Sequence, residues 1–285
     1  MNKNVCIGLC VYNNKLGLPF VLNNINKLTT VFEQINIIAC YDESHDNSLE
    51  ILTEYKNSSS EINLDIIENA YGNRSSRTTN ISNARNSILD KIRESYSEHT
   101  YFIMMDSNEY SCIGDLNIDI IEEVLQRENE WDSISFDREA GYYDTWALSY
   151  DPYIYSFFHF VESSTIVSMM RVHFNDLLEN AKNNDMNKLI PVYSAFNGFA
   201  IYKSNMFLNC SYSSTIDINY IPLDILQKEK DLTNCKIKNN YFLNDCEHRM
   251  FHMESIQKNG SKIMICLKSV FSKLAEPMHN LRGPA

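Results

Sequence analysis

Four short apolar runs, each separated from the next by a segment of helix length, fill the first 106 residues, and that alternation leaves few folds open. The runs are "VCIGLCVYN" (Val5 to Asn13), "INIIACYD" (Ile35 to Asp42), "EINLDIIEN" (Glu61 to Asn69) and "YFIMMD" (Tyr101 to Asp106). The last is apolar on both faces, as in an interior strand of a mostly parallel sheet. Between them lie "PFVLNNINKLTTVF" (Pro19 to Phe32), a helix from about Asn47 to Lys56, and "SNARNSILDKIRESY" (Ser82 to Tyr96), which sets Ile88, Leu89, Ile92 and Tyr96 on one face. Parallel strands need crossover connections of this length, so the pattern predicts an α/β fold: a Rossmann-type, mostly parallel sheet covered by helices.

The second half is less regular. "DLNIDIIEEVLQREN" (Asp115 to Asn129) is amphipathic, "DSISFDRE" (Asp132 to Glu139) is strand-like, and Tyr142 to Phe160 is crowded with aromatic residues. A helix is expected over Val161 to Lys182, a strand over "VYSAFNGFAIYK" (Val192 to Lys203) and a late strand over "SKIMICL" (Ser261 to Leu267). No Pro/Gly/Ser linker or repeat divides the halves, so one domain over 1–285 is expected.

Composition excludes some functions. A formal charge of −12 supplies no basic stripe to displace counterions from nucleic acid. The eight cysteines are scattered, without C-x-x-C, and read as reduced thiols. "MNKNVCIGLCVYNN" lacks the basic and apolar regions of a secretory signal, and no apolar run reaches membrane-span length, so a soluble intracellular protein is expected. Neither G-x-G-x-x-G nor a P-loop occurs.

The chemistry-bearing residues stand mostly at strand ends. After "YFIMM" come Asp106, Ser107, Asn108 and Glu109, oxygen ligands suited to a hard cation such as Mn²⁺ or Mg²⁺, at the sheet's carboxyl end where ligands of open α/β sheets bind; a solvated turn is the plainer alternative. Asp42 in "YDESHDNS" is placed to accept hydrogen bonds from a base or ribose, or to serve as a turn residue, while Asp46 or Asn47 caps a helix. Arg74, Arg77 and Arg85 gather around an expected helix start, where guanidinium groups and free amides favour a diphosphate; surface ion pairs are the alternative. "NDCEHRMFH" offers Asp245, Glu247, His248 and His252 on one helical stretch, the two histidines sharing a face. Tyr143, Asp144 and Trp146 could border a sugar, with hydrophobic core the commoner role of any one aromatic, and Gly198 is either a strand bulge or a close approach to the backbone.

In their order and spacing, "VCIGLCVYNN", "YDESHDNS", "RTTNISNARNSIL", "YFIMMDSNEY", "SAFNGFAIYK" and "DCEHRMFH" resemble a nucleotide-sugar glycosyltransferase of the GT-A fold, closest in look to a broad viral and microbial set. The resemblance implies a nucleotide-sugar-binding half (1–112) and an acceptor-binding, catalytic half (113–285). By that likeness Tyr12, Asn13 and Asp42 hold the nucleoside, and Arg77 and Arg85 hold the diphosphate. Asp106, Asn108 and a C-terminal His279 would hold the metal, with Arg282 nearby. Glu247, with Asp245 as competitor, would be the base, and Asp144, Trp146 and Gly198 would meet substrate. Expected partners are a nucleotide-sugar donor, UDP-linked by expectation, and a hydroxyl acceptor on a glycan, protein or small molecule. Two rivals stand: a nucleotidyltransferase that makes nucleotide sugars, and a catalytically silent glycan-binding relative, which Asn108 in place of a second acid keeps open.

Overall fold

The structure is a computed structural model that describes residues 3–68, 76–112, 114–139, 141–156, 159–238 and 244–272. Strands β1 (Asn4–Val11), β2 (Gln34–Tyr41), β3 (Asn63–Glu68) and β4 (Tyr101–Asp106) are joined by helices α1 (Leu18–Lys27), α2 (Ser48–Ser58) and α3 (Arg77–Ser95). The remaining strands are β5 (Ser133–Asp137), β6 (Leu189–Val192), β7 (Phe199–Lys203) and β8 (Ile263–Ser269). They interleave with helices α4 (Ile118–Gln126), α5 (Ser163–Asn184), α6 (Ser204–Phe207), α7 (Leu223–Thr233) and α8 (Glu247–Asn259).

Among the described residues, eight strands form one mixed sheet in the order β3-β2-β1-β4-β7-β5-β8-β6. The first four are mutually parallel, as the sequence pattern predicts. β7 then runs antiparallel between β4 and β5, and β6 closes the far edge antiparallel to β8. Alternation along β1 sends Val5, Ile7 and Leu9 into one core with Leu18 and Val21 of α1, and Cys6 into the other with Ile88 and Leu89 of α3. α1 and α3 therefore cover opposite faces, and β1 and β4, neighbours in the sheet, flank a topological switch point.

One expected element is two. Residues 192–203 are not a continuous strand: β6 ends at Val192, and β7 starts at Phe199 on another part of the sheet. Asn197 (φ 57°) and Gly198 (φ 88°) lie between them, and consecutive left-handed residues turn the chain out of extended geometry. α3 also begins at Arg77, so Arg85 lies well inside the helix and not at its start.

Candidate active site

At the carboxyl ends of β1 and β4 a cavity of about 430 Å³ opens at the switch point. Its lining includes Tyr12, Asp42, Arg77, Arg85, Asp106 and Asn108. Residues singled out on four separate stretches of sequence thus converge. A larger depression of about 690 Å³ lies by Thr100, Tyr101, Glu128 and Lys203, at the opposite end of β4.

Loops converge here because polar side chains pin them. The Asn14 side-chain oxygen accepts from the Tyr12 amide (2.8 Å) and from the Ser107 hydroxyl (2.9 Å), while the Asn14 amide donates to Ser48 Oγ (2.8 Å). One buried asparagine therefore joins the loops after β1 and β4 to the start of α2. Asn13 braces the loop after β1 against that after β2: its side-chain oxygen accepts from the His45 amide (2.8 Å), and it is not among the cavity's lining residues. Asp46 accepts from the Ser48 amide (3.0 Å), so Asp46 supports the start of α2 and Asn47 makes no side-chain cap.

Asp106 follows the apolar run of β4, and its amide donates to Gly198 O (2.8 Å) across to β7. Its carboxylate accepts from Ser111 Oγ (3.1 Å) and from Arg85 Nη2 (3.4 Å). Asn108 spends its side-chain oxygen differently from the expected ligand role, accepting the amides of Tyr110 (2.8 Å) and Ser111 (2.9 Å) to close the turn. Gly198 is tightly packed: a Cβ there would lie 2.8 Å from Ser111 Cβ and 3.0 Å from the Tyr143 hydroxyl. The glycine lets β7 approach the Asp106 loop, and the space on its Cβ side is taken by Ser111, Tyr143 and Arg138.

Arg85 links the cavity to α8. Its guanidinium, with a side chain 8% exposed, lies 3.1 Å from Glu247 Oε1 as well as near Asp106. Phe196 and Tyr212 flank it, with ring centroids at 4.5 and 5.6 Å. Glu247 opens α8 and is almost wholly buried. Burial raises its pKa, and Arg85 opposes that rise without cancelling it. Burial and then Asp106 lift Asp144 to about 6. His248, stacked on Phe196 at 3.9 Å, is held neutral, first by burial and then by the Arg85 charge. His252 bonds Ser194 Oγ (3.0 Å) and the Tyr202 hydroxyl (3.2 Å), and burial takes it down to about 3.

Asp245 is committed elsewhere. It is fully buried, paired with Arg249 Nε (2.8 Å) and His159 Nε2 (3.2 Å). Burial raises its pKa, but Arg249 and then His159 outweigh that and hold it below the usual range. Arg249 also donates to the carbonyls of Trp146 (2.7 Å) and Ile154 (2.6 Å), fixing the segment that carries Asp144 and Trp146 onto α8. His279, Arg282 and Arg74 lie outside the described residues. Sequence reasoning missed Asn14, Ser111, Phe196, Tyr212 and Arg249; Asn14, Phe196 and Arg249 lie inside quoted stretches, "VCIGLCVYNN", "SAFNGFAIYK" and "DCEHRMFH", whereas Ser111 and Tyr212 lie in none.

A hard cation fits this site only in part. Asp106 offers a partly exposed carboxylate in the cavity, enough for a Mn²⁺ or Mg²⁺ that takes most of its ligands from phosphate and water. Among the described residues no group of three His, Cys, Asp or Glu side chains could hold a metal ion, and no helix is long and apolar enough to cross a membrane.

No family model matches the chain, and no curated protein matches it. Among solved structures it is similar to S. aureus TarS 1-349 in complex with UDP-GlcNAc, with 13% identity and a TM-score of 0.47, covering 98% of this chain and 62% of that one. It is similar to the mannosyltransferase PcManGT from Pyrobaculum calidifontis in complex with GDP-Man and Mn²⁺, with 11% identity and a TM-score of 0.40, covering 75% and 48%. Glucosyl-3-phosphoglycerate synthase from Mycobacterium tuberculosis, in complex with Mn²⁺, UDP and glucosyl-3-phosphoglycerate, gives 8% identity and a TM-score of 0.39, covering 84% and 73%. The chain thus spans less than two thirds of the length of the TarS chain, and these are likenesses of shape between very different sequences.

Proposed function

We propose that this chain is a glycosyltransferase of the GT-A type, moving a sugar from a nucleoside-diphosphate donor, UDP-linked, to a hydroxyl acceptor. The observation that carries the reading is the switch-point cavity, which gathers Asp42, Arg77 and Asp106 and is joined through Arg85 to a buried carboxyl on α8. Asp42 accepts from the nucleoside, and Tyr12, 44% exposed at the rim, offers a ring to stack on the base. Arg77, exposed at the first turn of α3 beside the helix amides, holds the diphosphate. Asp106 would hold a Mn²⁺ or Mg²⁺, which when bound would offset negative charge on the departing diphosphate.

Glu247 takes the proton from the acceptor hydroxyl. The acceptor oxygen bonds to the anomeric carbon as the bond to the phosphate oxygen breaks, and that electron pair leaves with the nucleoside diphosphate. A carboxyl with a raised pKa is the stronger base for this step, and the assignment implies inversion at the anomeric carbon. Asp144 orients donor or acceptor hydroxyls.

Incubating the chain with a panel of nucleotide sugars, with and without Mn²⁺, and measuring free nucleotide tests the reading. Metal-dependent release from one donor is expected. No release, with no heat of binding for any donor, would instead favour the silent glycan-binding relative, a reading kept open by the Asn108 oxygen being spent on backbone amides.

A further inference from the structure

The geometry assigns Arg85 a role other than gripping the diphosphate: it is the positioning residue for Glu247, a buried bridge between the acid of the donor cavity and the acid on α8. The inference rests on the glycosyltransferase reading for its consequence in turnover, but the bridge itself is a property of the free protein.

Three observations carry it. Arg85 lies inside α3, whereas Arg77 stands exposed at that helix's first turn, where the unpaired amides are. The rings of Phe196 and Tyr212 flank the guanidinium, and its two terminal nitrogens are each within reach of a carboxylate, 3.1 Å to Glu247 and 3.4 Å to Asp106. A phosphate oxygen that drew the guanidinium away from Glu247 would leave that buried carboxylate without its counter-charge, an expensive exchange. Lastly, Arg85 Nη1 has no aligned hydrogen bond, so its attraction to Glu247 is chiefly coulombic, between two side chains that are both almost wholly buried, where such attraction is strengthened.

The charges that face Glu247 among the described residues are Arg85 and Arg77 of α3, Asp106 at the end of β4 and Asp144 after β5. Its other titratable neighbours are neutral near pH 7: burial lowers His248 far below its usual range and raises Cys10 to about 12, and it lifts Tyr202, Tyr212 and Cys246 as well. With two acids opposing ionisation of Glu247, Arg85 is the nearest group that favours it. Removing that charge should shift Glu247 further toward its protonated form, which is a poor proton acceptor, while the donor cavity keeps Asp42, Arg77 and Asp106.

The experiment compares the unaltered chain with Arg85→Gln, Arg85→Lys and Arg77→Gln. In the free protein, ¹³C-carboxyl NMR of labelled glutamate, with the Glu247 signal assigned through Glu247→Gln, reads its titration directly. The Glu247 midpoint should rise by at least about one unit in Arg85→Gln and by less in Arg85→Lys, which keeps the charge and loses the fork. UDP affinity with Mn²⁺, measured by calorimetry, should stay within about threefold in Arg85→Gln and fall by about tenfold or more in Arg77→Gln. Turnover of Arg85→Gln should fall by about 100-fold or more at little cost in donor KM, with the acidic limb of its pH profile moved upward. An unmoved Glu247 titration, or a loss of UDP affinity in Arg85→Gln matching that in Arg77→Gln, overturns the assignment. If Arg85→Gln does not fold, Arg85→Lys decides by the same two readouts. If the unaltered chain binds no nucleotide, the glycosyltransferase reading fails while the NMR titration still judges the bridge.

Discussion

At Glu247, burial and a neighbouring cation act in opposite senses on one carboxyl, and burial wins. On the proposed base role, turnover should fall as pH drops through that raised pKa, because the protonated carboxyl is too weak a base to take the acceptor's proton. Glu247→Gln fixes that protonated shape at every pH, and we expect it to lower kcat by about 10²–10⁴ with UDP affinity retained, as turnover and calorimetry would show. A base role for Asp245 would make Asp245→Asn act through turnover alone. Its ties to Arg249 and His159 predict instead a loss of stability, of about 3–5 kcal/mol for breaking a buried pair, visible in urea unfolding. Asp42, Arg77 and Asp106 were legible because each stands at the end of an apolar strand or the start of a helix, and the apolar pattern marks such ends. Phe196, Tyr212 and Asn14 were not, since an aromatic over a guanidinium or an amide joining two loops to a helix start leaves no periodic trace in sequence.

The loops after β1 and β4 are held together at Gly17, whose significance is steric. A Cβ at this position would stand 2.3 Å from Ser107 O and 2.6 Å from the Asn108 carbonyl carbon, both backbone atoms that cannot swing aside. Gly17→Ala should therefore push the Asp106-bearing loop away from β1, costing about 1–3 kcal/mol in urea unfolding and weakening UDP binding by calorimetry. Gly8→Ala, which meets only Ile88 Cγ2 (2.7 Å) and the Met104 side chain (2.8 Å), makes a contrasting control: stability falls while nucleotide binding holds. The four β-α units were readable because each strand and crossover helix has its own hydrophobic period. The stretch 192–203 was misread as one strand because Val192 and Phe199 to Tyr202 are apolar on both sides of the break, and the break is made by backbone angles at Asn197 and Gly198.

Across the whole molecule, the sheet gathers the cavity residues at the carboxyl ends of the parallel strands and packs the later half through β7, β5, β8 and β6 with a mesh of buried aromatic rings. That mesh has a pH-sensitive member far along the sequence from the cavity residues. Glu229 of α7 is wholly buried; its Oε2 accepts the amides of Ile154 and Tyr155 (2.9 Å each), and its Oε1 has no hydrogen-bond partner among the described residues. Burial raises its pKa from 4.5 to about 7, against the pull of those two amides. The folded state therefore binds a proton that the unfolded state has already lost between those values. Stability from this group is complete below pH 4.5 and is lost as pH rises through about 7, a change on the order of 3 kcal/mol. Glu229→Gln keeps an oxygen for the two amides and cannot ionise. Urea unfolding of both chains from pH 4.5 to 8 should show the unaltered protein losing stability relative to Glu229→Gln as pH rises. Parallel curves would mean that Glu229 has the same pKa folded and unfolded, and that water reaches the aromatic mesh.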